Sequence, residues 1–446
     1  MRNRFSSFSF SFRTKFLVFL LLLSHISYFT SYSQTSNSSP YSRYGLGDLQ
    51  SGGFANMAGM GGISQAFQND SLPIFFINPN NPAANAHYRL TVFDIGVMDQ
   101  FTQLQTEGAK YNANRAALSY LAFAFPIVKN KWGASFGVMP FSNIGYKINT
   151  SGAVDSSGTA YYAYEGAGGL NEIYLGNGFK FKNFSAGINV SYLFGGLTEI
   201  SRDSFPDLNN TFSTKVTETK QFSDLYLKGG LQYKAQLSKS WSAVLGLTAS
   251  LQTDLNAKNT YLAETYKYRF GLDQIRDTIR YSPNIKDTVT LPGMYGLGFA
   301  LRRSDKLLIT ADIMTQNWSS FDKYGQKGLL GNSNRISAGF QYWPGRNVIK
   351  GAYYKKMAYR AGFKYANTYL LLNNNEPLTD MSVSFGFGLP LRVTKVGENY
   401  NWAILNLGFE LGQRGTTQNN LIKENYVRVT LGFSINERWF IAHPYN

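Results

Sequence analysis

The 446-residue sequence has no cysteine, three histidines and only 16% charged residues, against about 25% in an average soluble domain. Without cysteine there is no disulfide framework, no thiolate zinc site, no cysteine nucleophile and no acyl anchor on an N-terminal cysteine. Scarce histidine argues against an enzyme, because activated serine or threonine nucleophiles usually need an imidazole beside them. Past the first thirty-odd residues only His87 and His443 remain. No His/carboxylate cluster has metal-ligand spacing. No catalytic residue, metal or cofactor is therefore expected. Long apolar runs are missing too, which excludes membrane-crossing helices. The one apolar core, Phe16 to Leu23, lies behind Arg2, Arg4, Arg13 and Lys15 and ahead of Ser31-Tyr32-Ser33. It is too short to cross about 30 Å of hydrocarbon and reads as a cleaved secretory signal, residues 1–33. Its four cations account for part of the formal net charge of +16, so the excess implies no nucleic acid.

What is abundant is aromatic and small: 34 Phe, 30 Tyr and 43 Gly. These residues alternate. Val427, Val429, Leu431, Phe433 and Ile435 share one face of an extended segment, and Arg428, Thr430, Gly432, Ser434 and Asn436 share the other, since successive strand side chains point to opposite faces. Ala186–Phe194, Trp241–Leu251, Tyr295–Leu301, Met381–Leu389 and Ala403–Leu411 repeat the pattern. Such segments exceed the globular mode of about five or six residues and match tilted strands that cross a bilayer. Tight turns at 129–131, 238–240 and 303–305 all fall at one end, and the polar stretch 257–290 reads as a long outer loop. The expected fold is all-β, a 14-stranded antiparallel transmembrane β-barrel over residues 88–446, in the outer membrane of a Gram-negative cell. Residues 159–181, interrupted by Gly166, Gly168 and Gly169, could be one bent strand or two. The chain closes on Trp439-Phe440, similar to the aromatic terminal strand by which barrel-assembly machinery recognises its clients.

Residues 34–87 show neither helical nor strand period, yet carry Phe54, Met57, Met60, Ile63, Phe67 and Ile74-Phe75-Phe76-Ile77. A tail left in water would be poorer in large apolar groups. A plug, or hatch, inside the lumen accounts for them, because fourteen strands enclose space for one.

With the Gly59-Met60-Gly61-Gly62 run and the hatch motif Asn81-Pro82-Ala83 just ahead of strand one, the chain resembles the FadL (OMPP1/TodX) family of outer-membrane transporters for hydrophobic compounds. The resemblance covers the mature chain in architecture and implies passive uptake of fatty-acid-like molecules past the hatch. Pro140 stands inside strand three, where it cannot donate to the ladder, with Gly145 following. In that family strand three kinks inward and opens the wall sideways, so Pro140 and Gly145 are expected either to make such a kink or to form a plain bulge. Asp312, Arg360, Lys364, Glu410 and Arg428 lie on the polar face and point to the lumen, since charge on the lipid face costs about 2–4 kcal/mol at mid-membrane for Arg or Lys. There they pair with one another or the plug, or hold the carboxylate of an amphipathic ligand. His87 and His443 are expected as solvated residues near the membrane edge. Expected partners are outer-membrane lipid and lipopolysaccharide, a hydrophobic small molecule, or proteins of an outer-membrane complex. FadL-like barrels also serve as non-transporting accessory subunits of export or assembly complexes, which is the alternative function.

Overall fold

The computed structural model describes residues 39–50, 53–68, 74–154, 158–205, 211–269, 272–321, 330–345, 351–371, 376–396 and 399–437. The expected export signal, His443 and Trp439-Phe440 lie outside the described residues. Fourteen antiparallel strands form a closed barrel: β1 (Thr91–Gln105), β2 (Lys110–Val128), β3 (Trp132–Pro140, resuming Ser142–Val154), β4 (Gly158–Phe181), β5 (Phe184–Ser204), β6 (Ser213–Gln236), β7 (Trp241–Ser250, resuming Thr253–Arg269), β8 (Leu272–Leu291, resuming Met294–Arg303), β9 (Leu307–Gln316), β10 (Ser333–Tyr342), β11 (Ala358–Leu371), β12 (Pro377–Val396), β13 (Asn399–Arg414) and β14 (Lys423–Glu437). β14 pairs with β1 from Lys423↔Gln105 to Glu437↔Thr91, which closes the sheet and removes its edges. The alternating apolar sets point outward. Ile188, Leu247, Phe299, Ile313, Phe385, Phe409 and Leu431 are exposed large hydrophobics, an inversion that only a lipid solvent stabilises. The end holding Thr91 and Glu437 carries the short turns and is the periplasmic end of outer-membrane barrels.

Two expectations are corrected or resolved here. Residues 257–290 are no loop. β7 and β8 continue outward as a hairpin, paired from Thr253↔Leu291 to Arg269↔Leu272, and β7 also pairs with β6. Tyr, Thr and Ile keep these residues extended. The period-two signal is weak because most of residues 272–286 is exposed on both faces, whereas Leu255, Ala257, Val289 and Leu291 at the base turn inward. Residues 159–181 form one strand. Its bend falls at Gly168 (φ 123°) and Gly169 (φ 156°), where a Cβ on Gly169 would lie 2.4 Å from the Ser142 carbonyl oxygen. Only glycine tolerates both the dihedral and the approach.

The described residues between 39 and 87 fill the lumen in two layers. Near the periplasmic end Phe54, Met57, Met60, Ile63, Phe67 and Ile74–Ile77 pack with Tyr88, Val92, Ala124, Trp343 and Trp402. Towards the outer end Tyr41 and Leu46 join Ile144, Leu170, Leu255, Trp318 and Tyr369. Several of these side chains are fully buried.

Candidate functional site

The deeper layer of the plug is fixed by backbone-directed hydrogen bonds. Asp312 of β9 accepts from the Ser64 and Gln65 amides at 2.5 and 2.9 Å. Gln232 donates to the Gln65 carbonyl at 3.0 Å, and Asn189 to the Pro79 carbonyl at 2.7 Å. The motif Asn81-Pro82-Ala83 starts a short 3-10 helix, Pro82–His87. The Asn81 side chain caps it by accepting from the Ala83 amide at 3.1 Å and also donates to the Gln65 carbonyl at 2.6 Å. Pro82 takes the first helical position, where its missing N–H costs nothing. Asn81→Ala removes both the cap and the cross-link. It is expected to destabilise the protein by about 2 kcal/mol, read as a lowered melting temperature in detergent. Asn81→Asp keeps the cap acceptor and should recover part of that loss.

His87 is a correction. It is not solvated but 1% exposed, at the end of that helix, against Gln68 and, at 3.3 Å, Ser185. A histidine at the start of a barrel sequence reads as a rim residue; only the plug's path buries it. Among the described residues no group of three His, Cys, Asp or Glu side chains is placed to hold a metal ion.

Between the two layers lies a cavity of about 320 Å³. Three of the predicted lumen charges meet on its wall. Lys364 lies 2.7 Å from Glu410 and 3.3 Å from Asp380, and Arg428 reaches Glu410 at 2.9 Å and Gln100 at 2.9 Å. Arg360 and Asp312 do not line it. Arg360 is buried lower, donating to Gln341 at 2.8 Å and Asn406 at 2.9 Å with its guanidinium over Phe76.

Sequence reasoning missed the residues that tie the outer plug segment to this wall. Arg414 donates to both carboxylate oxygens of Asp48, at 2.8 and 3.3 Å, and to Glu424 at 2.7 Å. Glu424 also accepts from the Ser39 hydroxyl. The signal was present: Arg414 continues the alternation that turns Glu410 and Gly412 inward. Arg115 of β2 was missed as well. It lines the cavity and makes no ion pair among the described residues.

The wall is interrupted at Pro140. β3 pairs with β2 only from Val128↔Trp132 to Leu121↔Val138. Beyond Pro140 it stays on β4, through Phe141 N–H to the Leu170 carbonyl at 2.8 Å and then Ile144↔Gly168. On the side that β2 leaves, the plug supplies a two-residue strand, Asp48↔Asn143 and Leu49↔Ser142, and the Gln50 amide donates to the Phe141 carbonyl at 2.9 Å. Leu118 and Tyr120 of β2 line the cavity, as do Met139, Pro140 and Phe141 of β3, so it extends to the place where the two strands part. Gly145 sits above the break, in the β4 ladder opposite Ala167, and its backbone holds Ser39 and Ser42 of the plug.

A plugged fourteen-stranded barrel with a parted third strand is a FadL-like outer-membrane fold. The Pseudomonas aeruginosa FadL homologue is similar over 88% of this chain and 100% of its own, at 11% identity and a TM-score of 0.57. The Pseudomonas putida toluene transporter TodX is similar over 89% and 100%, at 14% and 0.52. The CymD monoaromatic hydrocarbon channel is similar over 88% and 99%, at 13% and 0.52. At such identities these neighbours share the fold. No curated protein matches the sequence. The family model of BamG matches residues 14–446; the chain belongs to the BamG family.

Proposed function

We propose that this protein is an accessory subunit of an outer-membrane protein assembly or export complex, in which the plugged barrel is a fixed platform for partner proteins. The match to the BamG family over residues 14–446 carries this reading. The plug's bonding supports it. Moving the hatch would orphan the Ser64 and Gln65 amides and the Gln65 carbonyl, each at about 1–3 kcal/mol. A second reading, uptake of a fatty-acid-like amphiphile, is favoured by the cavity that reaches the parted strands β2 and β3. In it the ligand leaves sideways beside Pro140. Its carboxylate meets Arg428, Lys364 or the unpaired Arg115.

One measurement separates the two. Native mass spectrometry of the tagged protein, extracted from its own outer membrane in mild detergent, is expected to show stoichiometric protein partners. A bare barrel retaining an acidic amphiphile supports uptake instead. A bare barrel with neither sinks both.

A further inference from the structure

The charge of this barrel is distributed unevenly between its ends. At the outer end opposite signs meet: Lys147 and Arg202 flank Glu165 at 2.9 and 3.1 Å, and Arg202 and Lys215 flank Asp273 at 3.4 and 3.5 Å. At the periplasmic end nearly all the charge is positive. Lys129, Lys131, Lys182, Lys239, Lys306 and Lys355 occupy five successive connections, from β2–β3 round to β10–β11, and all are exposed. The described residues of those turns include one acid, Asp305. None of the six lysines has an ion-pair partner among the described residues.

Three observations point to what neutralises them. The cations encircle most of the barrel rather than gathering on one side, so a single docked protein would leave many uncovered. They stand at the rim of the lipid-facing surface. And two of them, with a neighbouring arginine, lie along aromatic rings that face outward there: Lys182 over Phe181 at 5.5 Å, Lys355 over Tyr354 at 5.9 Å, and Arg303, the last residue of β8, over Trp241 at 5.6 Å. Phe181 is 73% exposed and Tyr354 61%. Aromatic girdles sit at headgroup depth, and a lysine lying along one holds its ammonium among the headgroups.

We propose that this basic collar binds the anionic phospholipid headgroups of the periplasmic leaflet, each turn holding phosphate oxygens through one or two ammonium groups. The collar explains where much of the net positive charge of the chain goes, and it holds whichever function the lumen serves. Its role is to fix the depth of the barrel and to enrich acidic lipid around it.

Tryptophan fluorescence tests this in the intact protein. Among the described tryptophans, Trp132 and Trp241 are half-buried at the periplasmic rim, whereas Trp318, Trp343 and Trp402 are buried, so of these five brominated lipid quenches chiefly the rim pair. In bilayers, brominated phosphatidylglycerol is expected to bind several-fold better than brominated phosphatidylcholine at low salt, since one cation near an acidic surface contributes on the order of fivefold. The preference should fall towards parity in high salt, and in the variant Lys129→Gln, Lys131→Gln, Lys182→Gln, Lys239→Gln. The salt titration needs no variant, so a folding failure leaves the test intact. Parity in the wild-type protein at low salt overturns the proposal and leaves the collar to an acidic protein. A preference that survives both high salt and the four substitutions overturns it as well.

Discussion

Replacing Arg414 by methionine is expected to release the outer segment of the plug while leaving the barrel closed. Arg414 bridges Asp48 of the plug and Glu424 of β14, and Glu424 is 1% exposed. Removing it leaves the buried Glu424 carboxylate without its cation, close to that of Asp48. Breaking a buried pair by deleting one partner costs about 3–5 kcal/mol, far more than the median surface ion pair. The loss falls on a small element. Residues 39–50 are otherwise held by the Tyr41 and Leu46 side chains, by the two-residue pairing at Asp48–Leu49, and by hydrogen bonds to Gly145, Phe141, Ile422 and Tyr369. Arg414→Met should therefore expose this segment to limited proteolysis under conditions where the wild-type protein is resistant. Heat-modifiable migration, which reports the closed barrel, should persist. The same segment covers the place where β3 parts from β2, so passage of small solutes in planar bilayers should rise with the proteolysis. Unchanged protection of residues 39–50 would show that packing alone holds the segment.

The second large effect is steric. A Cβ on Gly246 would lie 2.0 Å from the Gln65 carbonyl oxygen, 2.4 Å from its carbonyl carbon and 2.8 Å from the Ala66 nitrogen. All three are backbone atoms of a segment pinned by Asp312, Asn81 and Gln232, so no rotamer change relieves the clash. Overpacking a well-packed core costs about 1–3 kcal/mol when side chains can adjust, and here they cannot. Gly246→Val is expected to reach or exceed the top of that range, displacing the plug from β7. The readouts are a lower melting temperature in detergent and increased bilayer conductance. Gly108→Val is the control, because a Cβ there meets nothing within 4 Å. Equal behaviour of the two variants would mean that the plug accommodates the added methyls by sliding.

Alternation made the barrel legible. Each strand has one solvent outside and another environment inside, and that contrast prints a period of two on the sequence. It turned Glu410, Lys364 and Arg428 towards the lumen and would have done the same for Arg414 had it been followed one turn of the pleat further. It failed in the hairpin 253–291, where most of residues 272–286 is exposed on both faces although Leu255, Ala257, Val289 and Leu291 at the base still turn inward. His87 escaped for a different reason. Its burial depends on Gln68 and Ser185, which are brought to it by a plug path that has no period at all.

Glycine shows the same division. The sequence displays small residues opposite apolar rows, which says only that something lies close to the inner wall. That Gly246 faces Gln65 and Gly187 faces Pro82 follows from the fold of the plug. By itself, then, the sequence determined the strand number and the closed topology, because each is a local consequence of side-chain alternation, and it pointed to a plug through apolar residues in a segment without period and to a disturbed ladder at Pro140 through its missing N–H. Only the tertiary structure decided which charges pair, where the cavity lies, and that the plug supplies the strand pairing which β2 gives up. Those depend on residues hundreds of positions apart meeting across the lumen, and no local pattern encodes such meetings.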